Sequence, residues 1–263
     1  MIFNKKEVNN LLNKLYPINR SITGRGYRES LDIISQVIPM NRINYKSGEK
    51  IFDWKIPLEW NIKEAYLLAP NGKKVVDLKN HNLYFLNYSI PINKNITFNE
   101  LKNHLFTIKN IPEAIPYVHS YYKPSWGFSL SYNKFKKLPK KGNYRAFINS
   151  SLTKGKLVVG ESLLKGKTKK EILFSTYLCH PQMANHELSG PIMMTQIYQY
   201  LKSIKNRKYS YRFVVCPENI GSLAYLKTRG KLLKKNLKGG FILNCLAHGR
   251  QFTFKKTRDG NTL

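Results

Sequence analysis

Carboxylates are scarce in this sequence: 15 Asp and Glu stand against 45 Lys and Arg in 263 residues, a formal charge of +30. So large an imbalance favours polyanionic partners through long-range attraction. The surplus is mostly Lys, dispersed along the chain among many Asn and Ile, which reads as a solvated surface with a coding bias. Totals alone do not identify a nucleic-acid binder, which needs patches and arginine forks, so nucleic acid is not expected as a partner. Cysteine is scarce too. Cys179, Cys216 and Cys245 form an odd set at the ends of apolar runs, which excludes a disulfide framework and fits buried thiols in a reducing compartment. No apolar run approaches the roughly 20 residues that span a bilayer, and MIFNKKEVNNLL lacks a signal-peptide core, so a cytoplasmic protein is expected. Internal repeats and low-complexity tracts are missing as well. What is present, 42% hydrophobic and 13% aromatic residues, suffices for one large folded domain or two modest ones.

Near the start, Val8, Leu11, Leu12 and Leu15 recur at helical spacing and Pro17 stops the pattern. In LYPINRSITGRGYRESL, Gly24 and Gly26 read as a turn into a second helix over residues 27–37, although glycines there could also let backbone approach a ligand. After Lys50 the texture changes to short runs, FDWKIPLEW, AYLLAP, KKVVDL and LYFLNYSIPI, with a hairpin signal at Asn71-Gly72. Residues 53–147 read as a small β-rich domain inserted into a domain formed by residues 1–52 and 148–263. A helix over residues 98–106, capped by Thr97, interrupts it. Its aromatic stretch YVHSYYKPSWGFSLSY reads as core or cross-strand pairs, with stacking of bases or sugars as the other reading. From Tyr144 strands alternate with helices: YRAFINS, KLVVGESLL, EILFSTYLC, a helix over 192–204, YRFVVCP, a helix in GSLAYLKTRG, and GGFILNCL. The expected class is α/β, a sheet flanked by helices. An unpaired GGFILNCL edge is one that a further copy of the chain could cover.

The chemistry concentrates in STYLCHPQMANHELSGP, residues 175–191. A buried strand ends at His180-Pro181, because proline has no N–H to donate, and Ser189-Gly190-Pro191 opens the next helix. Strand, loop and helix in this order put His180, His186 and Glu187 outside the carboxyl end of a strand, where open α/β sheets bind ligands.

Taken together, LYPINRSITGRGYRESL, FDWKIPLEWNI, AIPYVHSYYKPSWGFSLS, STYLCHPQMANHELSGP and VVCPENIGSLAYL resemble the bacterial aminopeptidase-like proteins catalogued as domains of unknown function, over nearly the whole chain. That family is similar to the zinc aminopeptidases with paired metal ions and carries a small inserted β-rich domain. Its members are often labelled polysaccharide-biosynthesis proteins. The resemblance implies a zinc-peptidase-like mixed sheet and a hydrolase of peptide or amide bonds. His180 matches the first metal histidine. His186 falls where a bridging aspartate is expected, Glu187 follows it, Glu218 of PENIG occupies the strand-end glutamate region, and His248 takes the place of a second aspartate. The late histidine would lie downstream, and the chain stops at Leu263 without it, so it reads as shortened relative to the family.

An imidazole offers one lone pair where a carboxylate can bridge two cations, so one zinc ion rather than two is expected, held among His180, His186, Glu218 and His248. General-base work falls to Glu187 or Glu218, whichever is not a ligand, with Glu218 the stronger candidate. A catalytically degenerate homologue, acting as a binding or scaffold protein, is one competing reading, and a nucleic-acid-binding protein, on charge alone, is the other.

Overall fold

A computed structural model describes residues 4–249, 253–258 and 260. The chain divides into two compact units, Met1–Ile56 with Gly155–Leu263, and Pro57–Lys154.

The first unit contains helices α1 (Lys5–Leu15) and α2 (Arg25–Ser35), then strands β1 (Asn41–Lys46), β2 (Lys156–Leu164) and β3 (Glu171–Tyr177). Helix α3 (Ser189–Ser203), strand β4 (Ser210–Cys216), helix α4 (Ile220–Asn236) and strand β5 (Leu237–Leu243) follow. Asn4 caps α1 by accepting from the Glu7 N–H, and the helix buries Leu11 and Leu15. Helix α2 buries Tyr27, Leu31 and Ile34 at the same helical spacing. The sheet is mixed, in the order β1-β2-β4-β3-β5. Strands β1, β2 and β4 pair antiparallel, whereas β3 runs parallel to both β4 and β5. Strand β1, NRINYK, has no clear strand pattern in the sequence because only Tyr45 in it is buried.

Strands β3 and β4 are adjacent and parallel, yet their onward connections leave in opposite directions: α3 leads to β4 on one side and α4 leads back across to β5 on the other. Such a reversal opens a crevice at the carboxyl ends of the strands. Two glycines set close contacts around it. A Cβ on Gly190 would lie 2.2 Å from Thr176 Oγ1 and 2.3 Å from the Leu243 carbonyl oxygen, so only glycine lets α3 start this close to the sheet. A Cβ on Gly26 would lie 1.8 Å from the Asn19 carbonyl oxygen, which pins α2 against the turn that precedes it.

The second unit is built on a four-stranded antiparallel sheet, in the order Lys74–Asp77, Glu59–Leu68, Asn143–Thr153, Ile92–Thr97. Alternation along Asn143–Thr153 buries Tyr144, Ala146, Ile148 and Ser150 on one face. The hairpin at Asn71-Gly72 joins the first two strands, with Gly72 at φ 78°. The helix expected over residues 98–106 is shorter. Thr97 and Glu100 form a reciprocal cap and Phe98–Leu101 is α-helical, but the chain then passes through a 3₁₀ turn, Lys102–His104, into a strand, Leu105–Phe106. The YVHSYY aromatics lie in irregular backbone instead of strands. His119 stacks on Tyr121 at 4.0 Å between centroids, and Tyr121 meets Tyr88 edge-on at 5.1 Å. Of the other histidines in this unit, His104 stacks on Trp126 at 3.6 Å, and His81 caps a 3₁₀ turn, Asn82–Tyr84, by accepting the Leu83 N–H.

Candidate metal centre

The pairing of β3 ends at Tyr177, and beyond it the chain stays buried through Leu178, Cys179 and His180. The stretch expected as a loop then winds into a single π-turn, Ala184–Leu188, that runs without interruption into α3. π-turns of this kind recur at functional sites. Gln182, with φ 47°, reverses the backbone between His180 and the turn. Glu218 arrives from the end of β4, and the residue after it, Asn219, sits at φ 56° and ψ −80°, a strained conformation for a side chain with a Cβ.

These elements bring together His180, His186, Glu187 and Glu218, whose ligand atoms all lie within 4.8 Å of one another. Glu187 is fully buried. Its Oε2 accepts the backbone N–H groups of Cys179 at 2.6 Å and His180 at 3.1 Å, which anchors one side of the carboxylate. Its Oε1 lies 2.9 Å from Nδ1 of His180 and 2.9 Å from Nδ1 of His186. The two imidazoles stack with centroids 5.4 Å apart. Glu218 Oε2 stands 3.5 Å from Nε2 of His180 on the open side, where the Glu218 side chain is 30% exposed and that of His186 is 35% exposed.

Burial works against the Glu187 carboxylate, but the two imidazoles and the backbone donors outweigh it and hold its pKa well below the usual carboxylate range. The Glu187 carboxylate in turn raises the pKa of His186 above the usual imidazole value, against partial burial. Burial, reinforced by Glu187, pushes the Cys179 thiol well above its ordinary value, so this cysteine stays a neutral thiol. Its sulfur accepts the Glu218 N–H at 3.2 Å.

Short separations do not by themselves complete a hydrogen bond. His186 Nδ1 and Glu187 Oε1 are both buried, and among the described residues neither has a partner with hydrogen-bonding geometry. A cation satisfies both kinds of lone pair at once, and two imidazoles with a carboxylate suit zinc. Atoms sharing a tetrahedral zinc at bonds of about 2.0 Å stand roughly 3.3 Å apart, and Glu187 Oε1 lies 2.9 Å from each Nδ1, a few tenths of an ångström closer. The residues present therefore fit one zinc ion.

His248 does not join them. The segment after β5 returns to the π-turn, with the Leu246 N–H on Ser189 Oγ at 2.9 Å and the Ala247 N–H on Asn185 Oδ1 at 2.8 Å. His248 follows these anchors and is exposed. Arg20, in contrast, belongs to the site's surroundings although no motif points to it. This guanidinium is fully buried and donates to the His180 carbonyl oxygen from Nε at 3.1 Å and Nη2 at 2.9 Å. Burial lowers its pKa to about 10, so it remains charged at neutral pH, with Glu187 opposing the shift. The one signal in the sequence is a lone cation between Ile18 and Ile22 in a short helix connection.

Fold and site together describe an aminopeptidase-like α/β domain with a His/Glu cluster at the carboxyl ends of parallel strands. The chain belongs to the family described as "Domain of unknown function (DUF4910)", whose profile matches residues 9–263. A Clostridium acetobutylicum protein, provisionally described as a polysaccharide biosynthesis protein with an aminopeptidase-like domain, is 45% identical over 255 residues, covering 97% of this chain and 58% of that protein. A crystal structure of a provisionally assigned peptidase from Clostridium acetobutylicum superposes with a TM-score of 0.88 at 46% identity, covering 92% of this chain and 56% of the other. A zinc aminopeptidase from Bacillus subtilis shares the fold, with a TM-score of 0.58 at 13% identity over 92% of this chain and 69% of its own length. The chain thus spans a little over half the length of these two Clostridium acetobutylicum relatives. Among the described residues no helix is long and apolar enough to cross a membrane.

Proposed function

We propose that this chain is a metal-dependent hydrolase of peptide or amide bonds that uses one zinc ion held by His180, His186 and Glu187. The observation that carries this reading is the convergence of buried imidazole and carboxylate atoms, without hydrogen-bonding geometry between His186 and Glu187, beside a partly exposed Glu218. Held by these two imidazoles and one carboxylate, zinc would supply Lewis acidity toward a substrate carbonyl.

The residues divide the remaining work. Glu187 presents Oε1 because its Oε2 is anchored by two backbone N–H groups, and its depressed pKa keeps it ionised. A carboxylate that releases its proton so readily is a poor general base near neutral pH. Glu218 reaches solvent, so it takes a proton from an attacking water and returns it to the leaving amine. Cys179, buried and protonated, is no nucleophile; its sulfur fixes the Glu218 backbone. The Clostridium acetobutylicum relative is described in terms of polysaccharide biosynthesis and an aminopeptidase-like domain, which supports an amide substrate connected with polysaccharide biosynthesis. The three free thiols suit a reducing cytoplasm.

Zinc content by elemental analysis, paired with hydrolysis of a panel of aminoacyl anilides, tests the reading. One equivalent of zinc is expected in the wild type, with Glu218→Gln retaining zinc and losing hydrolysis. Protein that takes up no zinc from excess sinks the proposal. Zinc uptake without hydrolysis of any amide supports the second reading, a binding or scaffold protein, which the exposed position of His248 favours.

A further inference from the structure

His180 is gripped from both directions along its backbone. Its N–H is held by Glu187 Oε2 at 3.1 Å, and its carbonyl oxygen takes two donors from Arg20, at 2.9 Å and 3.1 Å. A third donor of the same guanidinium, Nη1, holds the Leu15 carbonyl at the end of α1. Arg20 thus ties the helix pair at the start of the chain to the loop that follows β3, across 160 residues of sequence. The turn carrying it is itself fixed, because Gly26 packs directly on the Asn19 carbonyl. Ser21 and Thr23 beside it are buried too. Within LYPINRSITGRG, Gly26 therefore serves a close backbone contact, and Gly24 supplies the positive-φ turn into α2.

Burying a guanidinium is expensive, and a neutral side chain could fill the same volume at lower cost. A planar fork aimed at one carbonyl gives something a hydrophobic residue cannot, a fixed position for the peptide that carries His180. Groups that orient a metal ligand without touching the metal commonly change affinity by about 10–100-fold.

We propose that Arg20 is a positioning residue for the zinc site: by clamping the His180 carbonyl it sets the imidazole where His186 and Glu187 share a cation with it. This inference rests on the metal reading of the cluster, and the test separates the two. Cobalt(II) and zinc are titrated into metal-free wild type, Arg20→Lys and Arg20→Met, following the visible cobalt spectrum and chelator competition. Circular dichroism melts in EDTA show which variants are folded. Arg20→Lys keeps the charge and loses the fork. Its expected result is a folded protein with metal affinity lowered about 10–100-fold and a shifted cobalt band, with Arg20→Met at least as impaired. Folded variants with affinity within about twofold of wild type and the same spectrum, well short of the change an orienting group makes, overturn the positioning role and leave the zinc site standing. Wild type that binds neither ion overturns both.

Should both variants fail to fold, hydrogen–deuterium exchange on the wild type decides. Zinc is expected to protect peptides covering residues 16–24 together with those covering residues 178–188. Protection of the second set alone overturns the proposal.

Discussion

Two buried charge clusters occupy opposite ends of the same pair of parallel strands, and they are built from different cations. At the amino end of β3, Arg212 lies between Glu171 and Glu161. Its Nε and Nη2 reach Glu171 at 2.6 and 2.9 Å, and its Nη1 reaches Glu161 at 2.7 Å. Arg229 adds two further donors to Glu161, and the Tyr225 hydroxyl a third at 2.5 Å. Both carboxylates there are satisfied by forks and a hydroxyl. At the carboxyl end, Glu187 and Glu218 face imidazoles instead. A guanidinium carries only donors and a permanent charge, so it closes a site; a neutral imidazole carries a lone pair, so it leaves one open to a cation. Equal numbers of carboxylates therefore yield a structural staple at one end and a candidate metal centre at the other.

The sharpest way to break this contrast is to remove the fork. Arg212→Met leaves Glu161 and Glu171 buried without their shared partner and is expected to cost about 3–5 kcal/mol, read as a fall in the urea midpoint. An unchanged midpoint means the amino-end cluster is not a staple. At the other end, Glu187→Gln should lower zinc affinity by more than the roughly 10–100-fold typical of a carboxylate that only orients a ligand. A loss confined to that range moves Glu187 from ligand to orienting group. Between the clusters, Gly190→Ala forces a methyl against Thr176 Oγ1 and the Leu243 carbonyl and should destabilise by about 1–3 kcal/mol, with weakened zinc binding as α3 shifts.

The smallest effect is in pH. Burial raises the pKa of Glu161, but Arg229, Tyr225 and Arg212 outweigh it, so its folded value lies below the ordinary one. A carboxylate depressed by folding stabilises the protein above its unfolded pKa of about 4.3, and that contribution disappears as pH falls through the lower folded value. Wild type should therefore lose more stability than Glu161→Gln between about pH 5 and pH 3. Parallel acid curves for the two proteins would remove Glu161 from the account.

Some of this is legible in the residues alone. The apolar run ending at Cys179-His180-Pro181 marks a strand ending at a site, and Asn71-Gly72 marks a hairpin, because turn residues and side-chain periods act over a few positions. His180, His186, Glu187 and Glu218 are candidates from their residue types and the family resemblance. Their division of roles is not legible: whether Glu187 or Glu218 is sequestered depends on which carboxylate meets the backbone N–H groups of Cys179 and His180. The helix expected to reach residue 106 stops at Leu101, because pairing of Leu105–Phe106 with Phe128–Ser129 overrides local helical preference.

The sequence by itself determined the local alphabet of this protein: a mixed α/β chain, a strand–turn–helix passage around residues 171–203, and a short set of histidines and glutamates at its loops. Only the tertiary structure decided which of them meet. It brought Glu218 from the next strand and Arg20 from the first helix connection to His180, and it left His248 at the surface. Short-range signals come from steric and hydrogen-bonding preferences of neighbouring residues, whereas convergence over 160 residues is fixed by how the sheet twists and how closely its helices pack.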